Sequence, residues 1–341
     1  MKKAKVLVIS IVVLMTVSIS APAQTPSFMD LQRAMSDFSM SLARSLPFNS
    51  SFGLNWSDAY IGRLFPSAPP RFGVGAAIGF TTMDRSTINT LSSYLGYEMP
   101  FDSDRLFMPA YTVEARIGGF FLPFDMGFKV GVFPPNELLG SGLRTNHFLA
   151  GWDIRYAIVD GRSNRLLPNV SLGFGINYLR GNFDTDITET ATISYTLLGV
   201  PRTIALNDTV INMNWDTISM DLKAQISRSF LIFTPYLGVA GSFARSNAGY
   251  SVDARITMDG TPVRLDPLSL TLLNLALDFM GIDDIEVREN GIFSSVSNSA
   301  FSYRVFGGVS VNLAAFRLDF TGLYNILDGN FGASLGFRFQ M

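Results

Sequence analysis

The chain ends in SLGFRFQM, residues 334–341, and this stretch alternates strictly between two kinds of residue. Met341 and every second residue before it, back to Leu335, are apolar, whereas the residues between them are Gln, Arg, Gly and Ser. A period of two places alternate side chains on opposite faces of a β-strand. The last eight residues therefore predict a strand with one apolar face and one polar or small face.

The same period of two recurs upstream, from about residue 71 onward. About ten segments share it: RFGVGAAIGF (71–80), YTVEARI (111–117), MGFKVGV (126–132), HFLAGWDIRYAIV (147–159), VSLGFGINY (170–178), TISMDLKAQIS (217–227), TPYLGVAGSF (234–243), FSYRVFGGVSV (301–311), RLDFTGLYNI (317–326) and FGASLGFRFQM (331–341). The lengths are close to the roughly 9–11 residues that a tilted strand needs to cross a bilayer. The glycines fall mostly on the face opposite the large apolar residues.

The connections between these segments separate two kinds of all-β protein, because a soluble sandwich also alternates apolar and polar residues. Short connections are predicted near 119–124, 160–168, 228–231 and 312–315. Long ones are predicted near 83–107, 134–146, 180–214 and 246–298, and the last, LDGN (327–330), is brief. Short turns on one side and long loops on the other are typical of an antiparallel transmembrane β-barrel. We predict such a barrel over residues 71–341, with about 10 strands (10–12).

The composition agrees with a membrane protein that has no spanning helices. The chain is 48% hydrophobic and 16% charged, against about 25% charged in a soluble domain. Beyond the N-terminus, the most apolar run is LSLTLLNLALDFMGI (268–282), which contains Ser, Thr, Asn and Asp. It falls short of the roughly 20 apolar residues of a spanning helix. Asp266 and Pro267 before it predict a helix start inside the long loop 246–298.

The N-terminus predicts export. MKKAK is a basic region, VLVISIVVLMTVSIS is an apolar core, and Ala21-Pro22-Ala23 is a small-x-small site, which together indicate a signal peptide over 1–23, cleaved after Ala23. The chain has no Cys, so no disulfide and no lipid-modified Cys can form. Loss of the three signal lysines leaves 23 basic and 28 acidic residues, a net charge of −5. This balance argues against nucleic acid as a partner.

The closing stretch also resembles a known signal. SLGFRFQM is similar to the C-terminal assembly signal of Gram-negative outer-membrane β-barrel proteins, and Ser334, Gly336, Phe339 and Met341 match its spacing. That family usually ends in Phe or Trp, so Met341 departs from it. The resemblance implies an outer-membrane location, with membrane lipid and the barrel assembly machinery as partners. It also implies that the last strand closes the barrel against residues 71–80.

A separate segment precedes the barrel. Within residues 24–70, FMDLQRAMSDFSMSLARSL places Leu31, Met35, Phe38, Leu42 and Leu46 at helical spacing, which predicts an amphipathic helix. We expect this segment to plug the lumen or cap the barrel. The arrangement is loosely similar to the outer-membrane fatty-acid transporter family, whose N-terminal residues form a hatch. The chain has no clear copy of that family's hatch motif, and its predicted strands are fewer.

Charged residues recur on the face predicted to line the interior: Glu114, Arg116, Lys129, Asp153, Arg155, Asp221, Lys223, Arg304, Arg317, Asp319 and Arg338. Acid and base often stand two residues apart on one strand, so neighbouring strands can form a ladder of ion pairs. In a narrow interior these charges need partners. The pattern indicates a structural network, and the alternative is a polar path or a site for a charged group.

Three functions remain open from the sequence. The first is a narrow or gated channel, transporter or binder for a small amphipathic or hydrophobic compound. The second is a structural or adhesion barrel that acts through its long loops. The third is a hydrolase using His147, the one histidine, with Ser141, Thr145 and Asp153 as further candidates. No nucleophile motif surrounds Ser141, and no spacing predicts a metal or another cofactor.

Overall fold

The computed structural model of the chain describes residues 28–65, 70–84, 105–137, 144–161, 167–187, 191–197, 200–258, 260–262, 266–268, 270–271, 274–275, 286–288 and 291–341. Within these residues the chain forms one long α-helix and 14 strands in one sheet. The helix is α1 Phe28–Ser50. The strands are β1 Arg63–Phe65, β2 Phe72–Asp84, β3 Arg105–Phe120, β4 Phe124–Glu137, β5 Arg144–Val159, β6 Asn169–Ile187, β7 Ala191–Leu197, β8 Val200–Ser227, β9 Phe233–Met258, β10 Thr261–Pro262, β11 Glu286–Arg288, β12 Gly291–Leu313, β13 Phe316–Asn325 and β14 Phe331–Gln340.

Ten of these strands close into an antiparallel barrel. They follow one another in the order β2, β3, β4, β5, β6, β8, β9, β12, β13 and β14. The last strand then pairs with the first, from Gly332 opposite Thr81 to Gln340 opposite Gly73. The predicted strand number and the predicted closure against residues 71–80 are confirmed. β7 pairs with β8, β10 with β9 and β11 with β12, outside the closed ring.

Three strands are much longer than the sequence analysis predicted. β8 has 28 residues, β9 has 26 and β12 has 23. The predicted loops 180–214 and 246–298 are wrong over much of their length, because β6 pairs with β8 as far as Ile187 opposite Thr209, and β9 pairs with β12 as far as Asp253 opposite Gly291. In the membrane belt the outward residues are apolar, whereas beside α1 the inward residues, such as Met213 and Tyr250, are apolar and buried, and Asn214 faces outward. The phase of the alternation therefore reverses along these strands, and a pattern of apolar outward residues ends before the ladder does.

The outer face of the barrel is an apolar belt. Exposed residues on it include Val74, Ile78, Val113, Phe128, Leu222, Phe243, Phe320 and Phe337. A continuous band of this kind would be unfavourable in water, whereas a transmembrane barrel buries it in lipid. In the described part of the chain, no helix has the length and apolarity to cross a membrane.

Helix α1 lies inside the barrel. Its residues Met35, Phe38, Leu42 and Leu46 are all at most 2% exposed, and they pack against wall residues that point inward. These wall residues are Met83, Met108, Ala110, Leu149, Leu179, Phe183, Ile211, Met213, Trp215, Ala248 and Tyr250. The predicted helix is therefore present and its apolar stripe is the predicted one, although the side chain of Leu31 lies outside the described residues.

The direction of α1 follows from its contacts. Its last residue, Ser50, hydrogen-bonds Ser219 in the middle of β8, whereas its earlier residues pack toward Ile211, nearer the long loops. Residues 51–62 then run toward the short-turn rim, where β1 pairs with Gly119 and Phe120 of β3. Short turns are periplasmic in this class of barrel. The helix therefore points its N-terminal end toward the cell exterior.

Two further sequence expectations fall largely on residues that are not described. The signal peptide and its cleavage site lie outside the described residues. The sequence predicts a helix in the long loop, starting after Asp266. The described residues of this stretch have helical conformation, and they are Pro267, Leu268, Leu270, Thr271, Asn274 and Leu275. The Leu270 amide donates to the Asp266 carbonyl oxygen at 3.1 Å, so the described residues agree with a helix start at this point.

Candidate functional site

The eleven charged residues predicted to line the interior all point into the lumen. Ten of them are at most 9% exposed, and only the Arg317 side chain, at 19%, is more open. They lie in the middle and in the periplasmic half of the barrel, and they meet both one another and residues 51–62 (the lower plug segment). The interior of this half is therefore filled by ion pairs and polar contacts rather than by an open pore.

Asp125 is the centre of the network. It is fully buried and accepts hydrogen bonds from Arg116 at 2.6 Å and from Arg155 at 2.8 and 2.9 Å. It also accepts from the Ile61 amide of the lower plug segment at 3.0 Å. Asp125 is not among the predicted lumen residues, because the predicted strand begins one residue later, at Met126. The signal was present, since Asp125 stands two residues before Gly127, on the same inward face.

Two other carboxylates extend the network across the wall. Asp153 binds Arg116 at 2.7 Å and also pairs with Lys223. Asp221 pairs with Arg304 at 2.9 Å. Buried charges are tolerated when they are paired and hydrogen-bonded, and these strands supply partners of opposite sign at neighbouring positions.

Glu114 and Lys129 hold the lower plug segment where it leaves the helix. Glu114 accepts a hydrogen bond from the indole Nε1 of Trp56 at 2.5 Å and one from the Leu54 amide at 2.9 Å. The Lys129 ammonium donates to the carbonyl oxygens of Ser50 at 2.9 Å and Phe52 at 2.5 Å. A cation at the C-terminal carbonyls of a helix stabilises the otherwise unpaired end and its dipole. The end of α1 is thus fixed at mid-lumen.

Asp58 is a second buried carboxylate of the network that the sequence pattern did not predict. Its carboxylate lies 3.0 Å from Arg338 and 3.1 Å from Arg317, on the last two strands. The Asp58 carbonyl oxygen accepts from Arg155 at 2.7 Å. The Arg338 guanidinium also lies over the Trp56 ring, 4.5 Å from its centroid. No period marks residues 51–62, since they form neither helix nor strand. Contacts with the wall hold most of the segment, and its first residues also bond to the end of α1, as in the donation from the Ser51 amide to the Phe48 carbonyl oxygen at 3.1 Å.

The inward glycines leave the space that these groups occupy. A Cβ on Gly73 would lie 2.9 Å from the Trp56 ring, and one on Gly127 would lie 2.6 Å from atoms of Arg116 and Asp153. Gly53 of the lower plug segment has φ +83°, a conformation that favours glycine. A Cβ there would also meet Glu114 at 2.8 Å. The glycine-rich inner face therefore fits long side chains and a plug.

His147 has a different environment from the one expected of a hydrolase. It points into the lumen and is 7% exposed, and its ring stacks on Phe133 with 5.0 Å between centroids. Asp153 stands six residues along the same strand, about 20 Å away at the usual rise of an extended chain, and it is paired with Arg116. The acid partner considered for His147 is therefore wrong. Thr145 is also buried and points inward, and Ser141 lies outside the described residues.

The matched assembly-signal residues lie on both faces of β14. Ser334 and Gly336 face the lumen, beside a small cavity. Phe339 faces outward against Phe72 and Phe316. The Met341 amide donates to the Phe72 carbonyl oxygen at 3.0 Å, so the end of the chain is held at the periplasmic rim. The described residues contain no group of His, Asp or Glu arranged to hold a metal ion.

The small cavity has a volume of about 20 Å³ and lies between the lower plug segment and strands β2, β3, β13 and β14. Its polar lining comes from Glu114, Asp319 and Arg338, with Trp56 on the plug side. A cavity of this size holds about one water molecule. No larger solute fits while the plug is in place.

Comparisons with known proteins find similar chains among solved structures. No protein-family model and no curated protein matches the chain. Three similar solved structures are a major outer membrane protein from Thermus thermophilus (10% identity, 80% of this chain and 98% of that chain, TM-score 0.29), the transport unit of the autotransporter AIDA-I from Escherichia coli (10%, 90% and 99%, 0.33) and the Ralstonia pickettii toluene transporter TbuX (10%, 80% and 89%, 0.25).

The chain has the fold of an outer-membrane β-barrel. Three features of the structure support this conclusion: a ring closed by β14 and β2, an apolar outer belt, and short turns at one rim of the barrel. Closure leaves no unpaired sheet edge in the lipid, which a membrane-spanning sheet requires.

Proposed function

We propose that the protein is a gated outer-membrane channel for a small amphipathic or hydrophobic compound, and that residues 28–62 are the gate. The observation that supports this proposal is that a segment of the chain, and not only wall side chains, fills the barrel. The lumen is occupied by residues 28–62, which precede the barrel in the sequence, and the wall beside them is rich in glycine. A barrel meant to be closed permanently can be filled by wall side chains alone, as small barrels commonly are.

The lining that α1 covers suggests the kind of solute. The helix packs on Met, Leu, Phe, Trp and Tyr side chains of the extracellular half. Apolar linings with a few polar groups are typical of sites for small apolar or amphipathic compounds. If α1 shifts, this surface faces the passage, followed by the charged half below it. An amphipathic compound can contact the apolar lining with its apolar part and the charged lower half with its polar part.

Polar contacts between α1 and the wall are found in the last turns of the helix, which favours movement of the rest of it. In the described residues they include the Ser50–Ser219 hydroxyl contact at 2.9 Å, the Lys129 donation to the Ser50 carbonyl oxygen at 2.9 Å, the Asn49 donation to the Met108 sulfur at 3.0 Å and a donation from Asn330 to the Ser45 hydroxyl at 3.3 Å. Apolar packing is non-directional, so a helix held mainly by it can slide or tilt without breaking many specific bonds.

A disulfide lock on the full-length chain tests the gate. The chain has no Cys, so Ser50→Cys with Ser219→Cys adds one defined pair, at hydroxyl positions 2.9 Å apart. A disulfide needs about 2.05 Å between sulfurs, which these positions can reach. We expect the oxidised protein to be silent in planar bilayers and the reduced protein to conduct.

The matched control is Thr217→Cys with Ser246→Cys. These hydroxyls lie 2.7 Å apart on paired strands of the wall, so their disulfide leaves the plug free. The control should conduct equally in both redox states. Equal conductance of the oxidised and reduced plug-locked protein would show that current does not depend on residues 28–62.

Deletion of residues 24–66 is the complementary experiment. The refolded deletion variant should conduct more than the full-length protein, provided that the heat-modifiable mobility typical of folded barrels is retained. If folded full-length and deletion proteins are both silent, the wall side chains close the lumen and the gate proposal is wrong.

The projecting hairpins favour a second candidate function, binding of a partner at the cell surface. The ladders of β6, β8, β9 and β12 continue well beyond the apolar belt, as far as the pairing of Ile204 with Met258. A variant shortened in these hairpins should lose surface binding while its conductance stays unchanged. Loss of conductance alone would argue against this second function.

A further inference from the structure

Asp58 sits in the wall as a bound ligand would. Its Oδ2 atom is 3.0 Å from Nη2 of Arg338 and 3.1 Å from Nη1 of Arg317, and its Oδ1 atom is 3.3 Å from the latter nitrogen. Asp58 is 5% exposed and Arg338 is 2% exposed. The carboxylate belongs to the lower plug segment, whereas both arginines belong to the barrel. If the plug moves, the carboxylate leaves and the two guanidinium groups stay.

The wall of the lumen carries more positive than negative side chains. Among the described strand residues that face the lumen, seven are basic: Arg116, Lys129, Arg155, Lys223, Arg304, Arg317 and Arg338. Five are acidic: Glu114, Asp125, Asp153, Asp221 and Asp319. Asp58 is the one charged residue of segment 51–62. Movement of the plug therefore leaves two more positive than negative side chains on the wall.

The arginine site also has unused capacity. In the described structure, the Nη1 atom of Arg338 and the Oδ1 atom of Asp319 are buried and have no hydrogen-bond partner. Both residues line the cavity of about 20 Å³. Buried polar atoms without partners are rare in native proteins and need an explanation. Arg338 also pairs with Asp319 on the wall, at 3.0 Å through its Nε atom, so its Nη1 donor is the one available to an exchangeable ligand, whereas Oδ1 of Asp319 needs a donor such as water.

We infer that Arg317 and Arg338 form a binding site for small dissolved oxyanions, carboxylates or phosphate, and that Asp58 occupies this site as an internal ligand in the closed state. This inference rests on the proposed gate and adds a solute class and an opening signal to it. Guanidinium groups bind carboxylate and phosphate through paired, charge-assisted hydrogen bonds. Because the cavity holds about one water, an oxyanion binds only by displacing Asp58, so binding and opening are coupled.

The position of the site favours a dissolved solute over a lipid headgroup. Arg338 and Arg317 point into the lumen, on the face of the wall opposite the apolar belt. A lipid headgroup would have to pass through the closed sheet to reach them. Arms with and without added inorganic phosphate, both in the same zwitterionic bilayer, separate the two sources, since a headgroup effect would be present in both.

The first experiment measures open probability and ion selectivity of the full-length protein in bilayers. Added inorganic phosphate should raise the open probability of the unaltered chain severalfold, and reversal potentials in a KCl gradient should show preference for chloride. Asp58→Asn should open more often and keep the chloride preference. Arg338→Gln should also open more often but lose the response to phosphate. Arg288→Gln, on an exposed strand far from the lumen, is the matched control and should behave as the unaltered chain.

The second experiment does not depend on conductance. Phenylglyoxal modifies accessible arginines, and mass spectrometry locates the modified residue. In the Asp58→Asn protein, Arg338 should react faster than in the unaltered chain, and inorganic phosphate should slow this reaction severalfold. Arg288 should react at the same rate with and without phosphate, which makes it an internal reference.

The outcomes separate the site from the gate. Equal labelling of Arg338 with and without phosphate, or a cation-selective open state that Arg338→Gln does not alter, would overturn the oxyanion site even if the channel conducts. Phosphate protection of Arg338 in a protein that never conducts would keep the site and reject the gated channel.

Discussion

The two halves of the lumen are filled in opposite ways. In the extracellular half, α1 meets the wall through apolar side chains such as Phe38 and Leu42 against Met213 and Trp215. In the periplasmic half, residues 51–62 have no regular structure. They are held by hydrogen bonds of their backbone to Asp125, Glu114 and Lys129 and by the ion pairs of Asp58 with Arg317 and Arg338. In the extracellular half the plug is held by apolar packing, and in the periplasmic half it is held by polar groups that each have a partner.

This difference assigns separate tasks to the two parts of the gate. Apolar contacts depend on area and tolerate small shifts, whereas hydrogen bonds weaken steeply with poor geometry. The lower plug segment therefore fixes the position of the gate, and α1 fills the wide half without fixing its register. Variants that break the ion pairs within the lower wall should affect folding of the barrel. Variants at the Asp58–Arg338 contact should release the lower plug segment, and variants in the upper half should mainly release the helix.

The largest effect is expected from Asp125→Ala. It leaves Arg116 and Arg155 buried without their shared carboxylate, which should cost about 3–5 kcal/mol in the free energy of unfolding. Urea unfolding of the refolded barrel in detergent measures this loss. Asp253→Asn, on an exposed hairpin residue, is the control and should change stability by less than about 0.5 kcal/mol. Equal stabilities would mean that the network does not hold the periplasmic half.

A smaller effect, and a different one, is expected from Leu42→Ala. Truncation of this buried side chain in α1 removes apolar contact with the wall, at a cost of about 2–5 kcal/mol for helix docking. The barrel wall itself is unchanged. Open probability in bilayers should rise, whereas the urea midpoint of the barrel should stay close to that of the unaltered chain. Arg44→Ala, an exposed position on the same helix, should do neither. A fall in the midpoint with no added openings would contradict the division of tasks.

The barrel could be predicted from sequence because lipid imposes a simple rule. Each membrane-spanning strand between Phe72 and Gln340 needs an apolar outer face, and apolar residues therefore recur at every second position. Lumen residues such as Arg155 and Lys223 were predictable as the opposite face of the same pattern. The upper parts of β8 and β9 were not, because their apolar side chains, such as Met213 and Tyr250, face inward on α1 and the phase of the alternation is reversed there.

The contacts between the plug residues and the wall could not be predicted from the period of two. Asp58 and Trp56 lie in a segment with no period, and their positions depend on side chains more than 50 residues away in the chain, such as Glu114 and Arg338. Helical spacing predicted that α1 has an apolar face, but not which wall residues cover it. Asp125 shows a narrower cause, since an error of one residue at a strand end removed the centre of the network.

Glycine variants test whether both halves are equally tight. A Cβ on Gly181 would lie 2.6 Å from the Asn146 carbonyl oxygen and from the Trp215 ring in the upper half, and one on Gly127 would lie 2.6 Å from the ends of the Arg116 and Asp153 side chains in the lower half. Overpacking costs about 1–3 kcal/mol. We expect Gly181→Ala to be the more destabilising of the two in urea unfolding, because a backbone oxygen in a strand ladder cannot move aside, whereas the ends of two side chains can. The reverse order would show that the ion pair of the lower half is the more rigid contact.

The smallest effect is expected from His147→Ala in the upper half. The loss of its stacking on Phe133 should cost about 1 kcal/mol, visible as a slight fall in the urea midpoint. His147→Phe keeps a ring at this position and should restore stability. The pair of variants also tests the hydrolase alternative, since assays on lipid and peptide substrates should give the same rates for both variants and the unaltered chain. Hydrolysis by the unaltered chain that is lost in both variants would make His147 a catalytic residue. The upper half would then be a reaction site rather than a surface for a helix.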